Sequence, residues 1–294
     1  MLERLREIKM TAPHPFPYQG SKRKLAPAIL PYVPTCTKRV VEPFAGSAAI
    51  SLACADEQRA GRFWLNDSNP GVIALWKSIV TDPDGLAGAY EQLWQDQTGK
   101  ERAFYNEVRE RYNETQEAPD LLYLVARCVK AAIRYNAQGQ FNQSPDHRRK
   151  GMRPDKMRAN LIAVSKLLGP RTKTTCRDYQ EVFNALDNDD LVYMDPPYQG
   201  VSNTKDSRYC EGVDFDEFVA ALEGLNNRSV MYIISYDGRT GDKQYGKPLP
   251  SSLKLEHVEL DAGQSSQATL LGKKAKTVES LYVSPAAYEA SSPL

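Results

Sequence analysis

The chain has 294 residues, 38 Lys+Arg against 37 Asp+Glu, and 41% hydrophobic residues. These proportions exclude a wholly disordered chain and allow one sizeable core, or a core plus a smaller lobe. No apolar run approaches the roughly 18 residues of a membrane span, and residues 1–10 lack the apolar stretch of a signal peptide, so no membrane partner is expected. The cysteines (Cys36, Cys54, Cys128, Cys176, Cys210) are scattered and never form a Cys-x-x-Cys pair, and His14, His147 and His257 lie far apart. That pattern argues against a disulfide framework, a structural zinc or a metal-driven mechanism, and fits a reducing cytoplasm.

In chain order, Gly20-Ser21 predicts the start of a helix running from Lys24 to Leu30. Its N-terminus, with Lys22 beside it, suits a carboxylate, and Tyr18 suits a cationic group. Arg39 to Val41 predicts a short buried strand, followed by the turn Glu42-Pro43-Phe44-Ala45-Gly46-Ser47 and a helix of small residues. Arg62 to Leu65 predicts a second strand ending at Asn66-Asp67, and Asn69-Pro70 the start of another helix. From about 82 to 168 the pattern is mainly helical, with amphipathic runs at Ala103–Tyr112 and Leu121–Tyr135, interrupted by the polar stretch Asn136–Gly151. Leu191 to Met194 predicts a strong strand closed by Asp195-Pro196-Pro197-Tyr198. Ser229–Tyr236 predicts another strand, and Leu253–Leu260 with Thr277–Val283 a hairpin. The tail Ser284–Leu294 is expected to fray.

Strands alternating with helices imply a mostly parallel sheet covered on both faces. The helical middle reads as an insertion, giving an α/β core of residues 11–80 and 165–290 and a lobe of residues 81–164. From Arg148 to Arg177, ten basic residues meet one acid, Asp155, a local charge of +9 in an otherwise neutral chain. Such a segment predicts a polyanion-facing surface.

Two motifs carry chemistry. Gly46, with small Ser47 and Ala48, lets the backbone approach a ligand closely, and Asp67 follows 21 residues later at the tip of the next strand, where an acid accepts from a ribose diol. The full glycine-rich phosphate fingerprint is missing, which favours a ligand with ribose but no phosphate. Asp195-Pro196-Pro197-Tyr198 ends a strong strand. Its prolines supply no N–H, so the local backbone offers acceptors without competing donors, and the tyrosine offers a flat face. That combination suits an exocyclic amine on a stacked ring.

Taken together and in this order, these residues resemble the DNA adenine methylases, amino-group methyltransferases that use S-adenosylmethionine. Tyr18 to Lys22 looks like the family's first cofactor segment, Glu42 to Ser47 like its Phe-x-Gly motif, Asn66-Asp67-x-Asn69 like its ribose segment, and Asp195 to Tyr198 like its catalytic motif. Phe104-Tyr105-Asn106-x-x-Arg109 and Arg134 to Asn142 resemble its target-recognition region. Asp178-Tyr179 looks like the segment lining the cofactor adenine, and Lys276 to Tyr282 like the closing strand. The order of motifs is the family's alpha arrangement. Better-known members carry Asn-Gly where this chain has Lys130-Ala131.

The resemblance implies a Rossmann-like methyltransferase fold: a mostly parallel, seven-strand-type sheet, a C-terminal antiparallel hairpin and an inserted, mainly helical target-recognition lobe. It implies a catalytic set of Asp195, Pro196, Pro197 and Tyr198. It implies a cofactor set of Tyr18, Gly20, Ser21, Lys22, Glu42, Pro43, Phe44, Ala45, Gly46, Ser47, Asp67, Ser68, Asp178, Tyr179 and Asp195. Lys130, Arg134, Asn136, Gln138, Asn142, Arg148, Arg149 and Lys150 would face DNA, Arg134 reading a guanine. The expected cofactor is S-adenosylmethionine, released as S-adenosylhomocysteine, with no metal. The expected partner is double-stranded DNA, with or without a restriction endonuclease encoded elsewhere, in the cytoplasm at the nucleoid. The same geometry could serve cytosine N4, an RNA amino group, or a DNA-binding regulator that keeps the fold without catalysis.

Overall fold

The computed structural model describes residues 12–197, 213–240, 243–245, 247–264 and 276–291. Among them, strands β1 to β8 cover Arg39–Glu42, Arg62–Asn66, Thr172–Thr175, Asp190–Met194, Met231–Thr240, Lys243–Tyr245, Glu256–Gln264 and Lys276–Val283. Helices α1 to α10 cover Ala26–Ile29, Ala49–Asp56, Pro70–Thr81, Pro83–Asp96, Glu101–Thr115, Ala118–Arg127, Pro154–Leu168, Tyr179–Asn184, Phe215–Asn227 and Pro285–Ser291.

One mixed sheet runs β3-β2-β1-β4-β5-β8-β7, with β6 paired to β5. The pairs among β1 to β5 are parallel, and β8 joins β5 and β7 antiparallel. The central strands are apolar on both faces because both faces are covered. Val40, Phe63, Leu65, Leu191, Tyr193 and Ile233 pack with α2, α3 and the helices α4 to α7. Val41, Trp64, Val192, Met194, Tyr232 and Ile234 alternate with them and pack with α8 and α9. The apolar cluster on the first face is continuous from the sheet into the helical middle of the chain.

From β1 the chain crosses to β2 on one side, and from β4 to β5 on the other. The order therefore reverses between β1 and β4, and a crevice opens beyond their carboxyl ends, where ligands bind in open α/β sheets. The turn after Glu42 and the Asp195-Pro196-Pro197 segment leave the sheet at that place.

Several expectations are corrected. The run Leu121–Tyr135 is not one helix. It leaves helical geometry at Arg127, because Val129 N–H pairs with the Ser144 carbonyl and Cys128 bridges to Pro145. The helix expected over Lys24–Leu30 is broken into a 3-10 turn at Lys22–Lys24, the four residues of α1 and a second 3-10 turn at Leu30–Tyr32, with Pro27 and Pro31 each opening its piece. Part of the predicted tail is helical, as α10. The strand expected from Leu253 begins instead at Glu256, after a 3-10 turn at Ser251–Leu253. No helix among the described residues is long and apolar enough to cross a membrane.

Candidate active site

The crevice is built from the β1 turn upward. Gly46 has φ +46°, and a Cβ there would come within 2.9 Å of the Tyr18 ring, so only glycine fits between that ring and the turn. The turn is held on three sides. Ala45 N–H donates to the Asn66 carbonyl at 2.7 Å, Trp76 Nε1–H to the Gly46 carbonyl at 2.8 Å, and Gly46 N–H to Asp67 Oδ2 at 3.0 Å. Ser47 donates its hydroxyl to Ser21 at 2.8 Å, tying the turn to the segment from Tyr18 to Lys22.

Glu42 is buried, and its Oε1 accepts the Ser51 amide at 2.7 Å. Ser51 lies in the first turn of α2, whose start is the left-handed Ala48 without a side-chain cap. The carboxylate therefore fills from inside the protein the helix N-terminus that a pyrophosphate uses in dinucleotide-binding proteins. Burial pushes its pKa up to about 7, against the pull of the Ser51 bonds, and nearby Asp195 adds a smaller push. Glu42 thus sits behind the turn it was expected to line.

Asp67 uses one oxygen for Gly46 N–H and the other for Asn69 N–H at 2.9 Å. Burial raises its pKa and the two amides oppose the rise. Neighbouring Asn66, expected only as part of the ribose-type segment, has a structural role. It is fully buried, donates to the carbonyls of Pro43 and Arg177, and accepts from Arg177 N–H and the Thr175 hydroxyl. Its side chain welds the β1 turn to the chain after β3, a role signalled in sequence by a polar residue closing an apolar strand. Phe44 lies tilted against Tyr179, ring centroids 5.5 Å apart, beside the crevice. Asp178 spends its side chain capping α8 through Gln180 N–H at 2.8 Å, and Ser68 is exposed.

At the end of β4, Asp195 is partly exposed, Pro196 buried and Pro197 exposed. Tyr198 lies outside the described residues, as does Cys210. Lys22 Nζ stands 3.0 Å from Asp195 Oδ1 and 3.1 Å from Glu279 Oε2 on β8. Lys22 therefore joins two carboxylates, where the sequence predicted an anion-holding helix start. Glu279, the third member, is legible in sequence only as one position of the closing strand.

The expected DNA-facing residues fall on two structures. Arg134 to Asn142 forms a short hairpin: Asn142 N–H donates to the Arg134 carbonyl at 3.0 Å and Tyr135 bridges Phe141. Asn113 clamps Phe141 through both its backbone groups, donating at 3.1 Å and accepting at 2.7 Å. Asn136 folds the tip, its Oδ1 accepting from the amides of Gln138 and Gln140. That side chain is committed to the loop, while Gln138 and Gln140 are exposed. Arg148 and Arg149 both pair with buried Asp146, and Lys150 with Glu101 at 3.6 Å. Arg158 reaches Asp84 and Glu91 on α4, Arg171 lies over Phe63, and Lys173 over Trp64. The basic run is thus divided among a loop, a helix and the edge strand β3, and several of its members are paired with acids or lie on aromatic rings.

Fold and site together describe an open α/β protein with a glycine turn, a buried acid and a strand-end carboxylate at the switch point of its sheet. The chain belongs to the D12 class N6 adenine-specific DNA methyltransferase family, whose sequence pattern matches residues 18–262. It is 26% identical over 235 residues to the DNA N-6-adenine-methyltransferase of Escherichia phage P1, covering 76% of this chain and 29% of that one. It is 28% identical over 189 residues to the retron Ec67 DNA adenine methylase of Escherichia coli, covering 62% of each. Type II methyltransferase M1.LlaDCHI of Lactococcus lactis subsp. cremoris is 22% identical over 280 residues, covering 90% of this chain and 94% of that one. The matched region therefore spans less than two thirds of the first two relatives.

Proposed function

We propose that the chain is a site-specific DNA N6-adenine methyltransferase, acting on an adenine turned out of the duplex. The observation that carries this reading is the meeting, at the switch point, of a close-approach turn with no phosphate site and an amine-accepting strand end, in a chain of this family. The internally filled N-terminus of α2 fits a nucleoside cofactor without phosphate, and S-adenosylmethionine is that cofactor. When bound, it supplies a sulfonium-activated methyl group and leaves as the neutral thioether.

The chain's own residues do the rest. Asp67 would hold the ribose hydroxyls, its acid kept in place by Gly46 and Asn69 amides. Phe44 and Tyr179 would bracket the cofactor adenine, and the Tyr18–Lys22 segment would close over the methionine end. Asp195 and the Pro196 carbonyl would accept the two hydrogens of the target amine, localising the nitrogen lone pair that ring conjugation spreads. Lys22 holds Asp195 in place, and the carboxylate would stabilise the positive charge that develops on nitrogen and then accept its proton. Orientation and electrostatics supply the rate, and no covalent enzyme intermediate is required. Tyr198 would stack on the flipped base.

In this reading residues 11–80 and 165–290 form a Rossmann-like catalytic core, and residues 81–164 a target-recognition insert. Arg134 reads a guanine from the root of the hairpin, with Lys130 and Arg148 to Lys150 near the phosphates. The partners are double-stranded DNA and, in a restriction-modification setting, an endonuclease encoded elsewhere, in the cytoplasm at the nucleoid.

The test is methyl transfer from labelled S-adenosylmethionine to unmethylated genomic DNA, with RNA in parallel, followed by nucleoside analysis. N6-methyladenine from DNA is expected, and its loss with unchanged folding in Asp195→Ala. N4-methylcytosine would overturn the base assignment, label confined to RNA the polymer, and full activity of Asp195→Ala the role of that residue.

A further inference from the structure

The ligand turn and the hairpin are joined by an unbroken run of hydrogen bonds. Gly46 N–H donates to Asp67 Oδ2 at 3.0 Å, and Asn69 N–H to Asp67 Oδ1 at 2.9 Å. Asn69 Oδ1 accepts from Gly71 N–H at 3.0 Å and Val72 N–H at 3.4 Å, which caps α3. The same oxygen accepts a third bond, at 3.1 Å, from the Tyr135 hydroxyl, which arrives from an element 66 residues away. Tyr135 follows Arg134 and pairs across the hairpin with Phe141, and its hydroxyl lies 3.3 Å from that of Tyr112 on α5.

The cap of α3 is complete without Tyr135, and the edge-on contact of Tyr135 with Phe141, at 6.2 Å between centroids, needs only a ring. Besides its contact with Tyr112, the hydroxyl ties the root of the hairpin to the two-residue step between Asp67 and Asn69. A ligand that orders Asp67 bears on Asn69, and Asn69 holds the Tyr135 hydroxyl at the root of the hairpin.

We propose that Tyr135, acting through Asn69, is a positioning residue that couples cofactor occupancy to the setting of the DNA-reading hairpin. This rests on the functional reading above. Coupling of this kind is reciprocal: DNA at the hairpin tightens the cofactor by the same factor as cofactor tightens DNA. A direct measurement of that factor is the evidence such a link requires.

The experiment measures S-adenosylhomocysteine binding by calorimetry, alone and with a duplex carrying the site mapped by methylation, in wild type, Tyr135→Phe, Asn69→Ser and Tyr112→Phe. In wild type the duplex tightens binding by about five-fold or more. Tyr135→Phe keeps the duplex-free affinity within about two-fold and removes most of the tightening. Asn69→Ser, which retains a helix cap but draws the acceptor back from Tyr135, also removes most of the tightening, read as the ratio of its affinities with and without duplex. Tyr112→Phe removes the other neighbour of the Tyr135 hydroxyl but leaves its bond to Asn69, and keeps most of the tightening. Wild-type coupling preserved in Tyr135→Phe or Asn69→Ser, no tightening in wild type, or affinity lost equally with and without duplex would each overturn the proposal. Failure of wild type to bind either S-adenosylhomocysteine or the duplex would instead overturn the functional reading.

Discussion

Glu42 shows how much one buried acid decides. Its carboxylate takes the place at α2 that a phosphate would need, and burial holds its pKa near about 7 instead of the ordinary 4.5. Between those values the native state keeps a proton that the unfolded chain has released. Stability therefore falls as pH rises through that window, by up to about 3 kcal/mol. In Glu42→Gln the group no longer titrates, so denaturant unfolding from pH 4.5 to pH 7 should show a flatter dependence than wild type. An unchanged slope would mean that the acid is ionised throughout and the first turn of α2 bears a full charge. The neighbouring Lys22 makes a second case. Lys22→Met strips Asp195 and Glu279 of their shared cation and leaves the two carboxylates facing each other. The kcat for methylation should fall by roughly ten-fold or more in that variant, with the KM for S-adenosylmethionine little changed. A rise in KM with kcat unchanged would leave Lys22 a cofactor contact alone.

At the scale of elements, the parallel strands were legible because apolar residues on both faces leave few alternatives to a covered sheet. Strand β3, Thr-Lys-Thr-Thr, was not legible. It is a polar edge strand that owes its form to backbone pairing with β2, and only Trp64 Nε1–H and Asn66 reach its Thr175 side chain. Residues 128–135 were misread because their helical periodicity continues while their backbone does not. Lys130 and Ala131 both have positive φ, +60° and +51°, in a tight reversal where the better-known relatives place Asn-Gly, the pair suited to such a turn. Lysine pays for this conformation in strain. Lys130 is exposed, so Lys130→Gly relieves the strain without loss of packing and should stabilise the fold by roughly 0.5–1 kcal/mol in denaturant titration. The same variant should bind duplex more weakly, since it removes a cation at the foot of the hairpin. Stabilisation without weaker binding would place Lys130 away from DNA.

At the scale of the whole molecule, part of the +9 of the basic stretch is offset by partners that lie outside the sequence window. Asp84, Glu91 and Glu101 come from α4 and α5, and Asp146 from just before the stretch; folded, they face Arg158, Lys150, Arg148 and Arg149. A chain with net charge +1 cannot rely on its overall field to collect a polyanion, so in the proposed reading its grip on phosphate would rest on the few cations that are both exposed and near the hairpin. Arg149 is one of them: half exposed, and sharing a single aspartate with Arg148 so that the pair keeps a net positive charge. Arg158 is held between two carboxylates of α4, and Arg171 lies on the Phe63 ring at the sheet edge. Duplex binding followed by fluorescence anisotropy across a salt series separates these classes. Arg149→Ala should lower the slope of log K against log salt by about 1, the value for one lost phosphate contact, uniformly across DNA sequences. Arg158→Ala and Arg171→Ala should leave the slope unchanged, and Arg134→Ala should cost roughly 1–3 kcal/mol only on duplexes with a guanine at one position. Equal slope losses in the Arg149, Arg158 and Arg171 variants would mean that the basic stretch meets DNA as a single face, with the carboxylate pairs opening on contact.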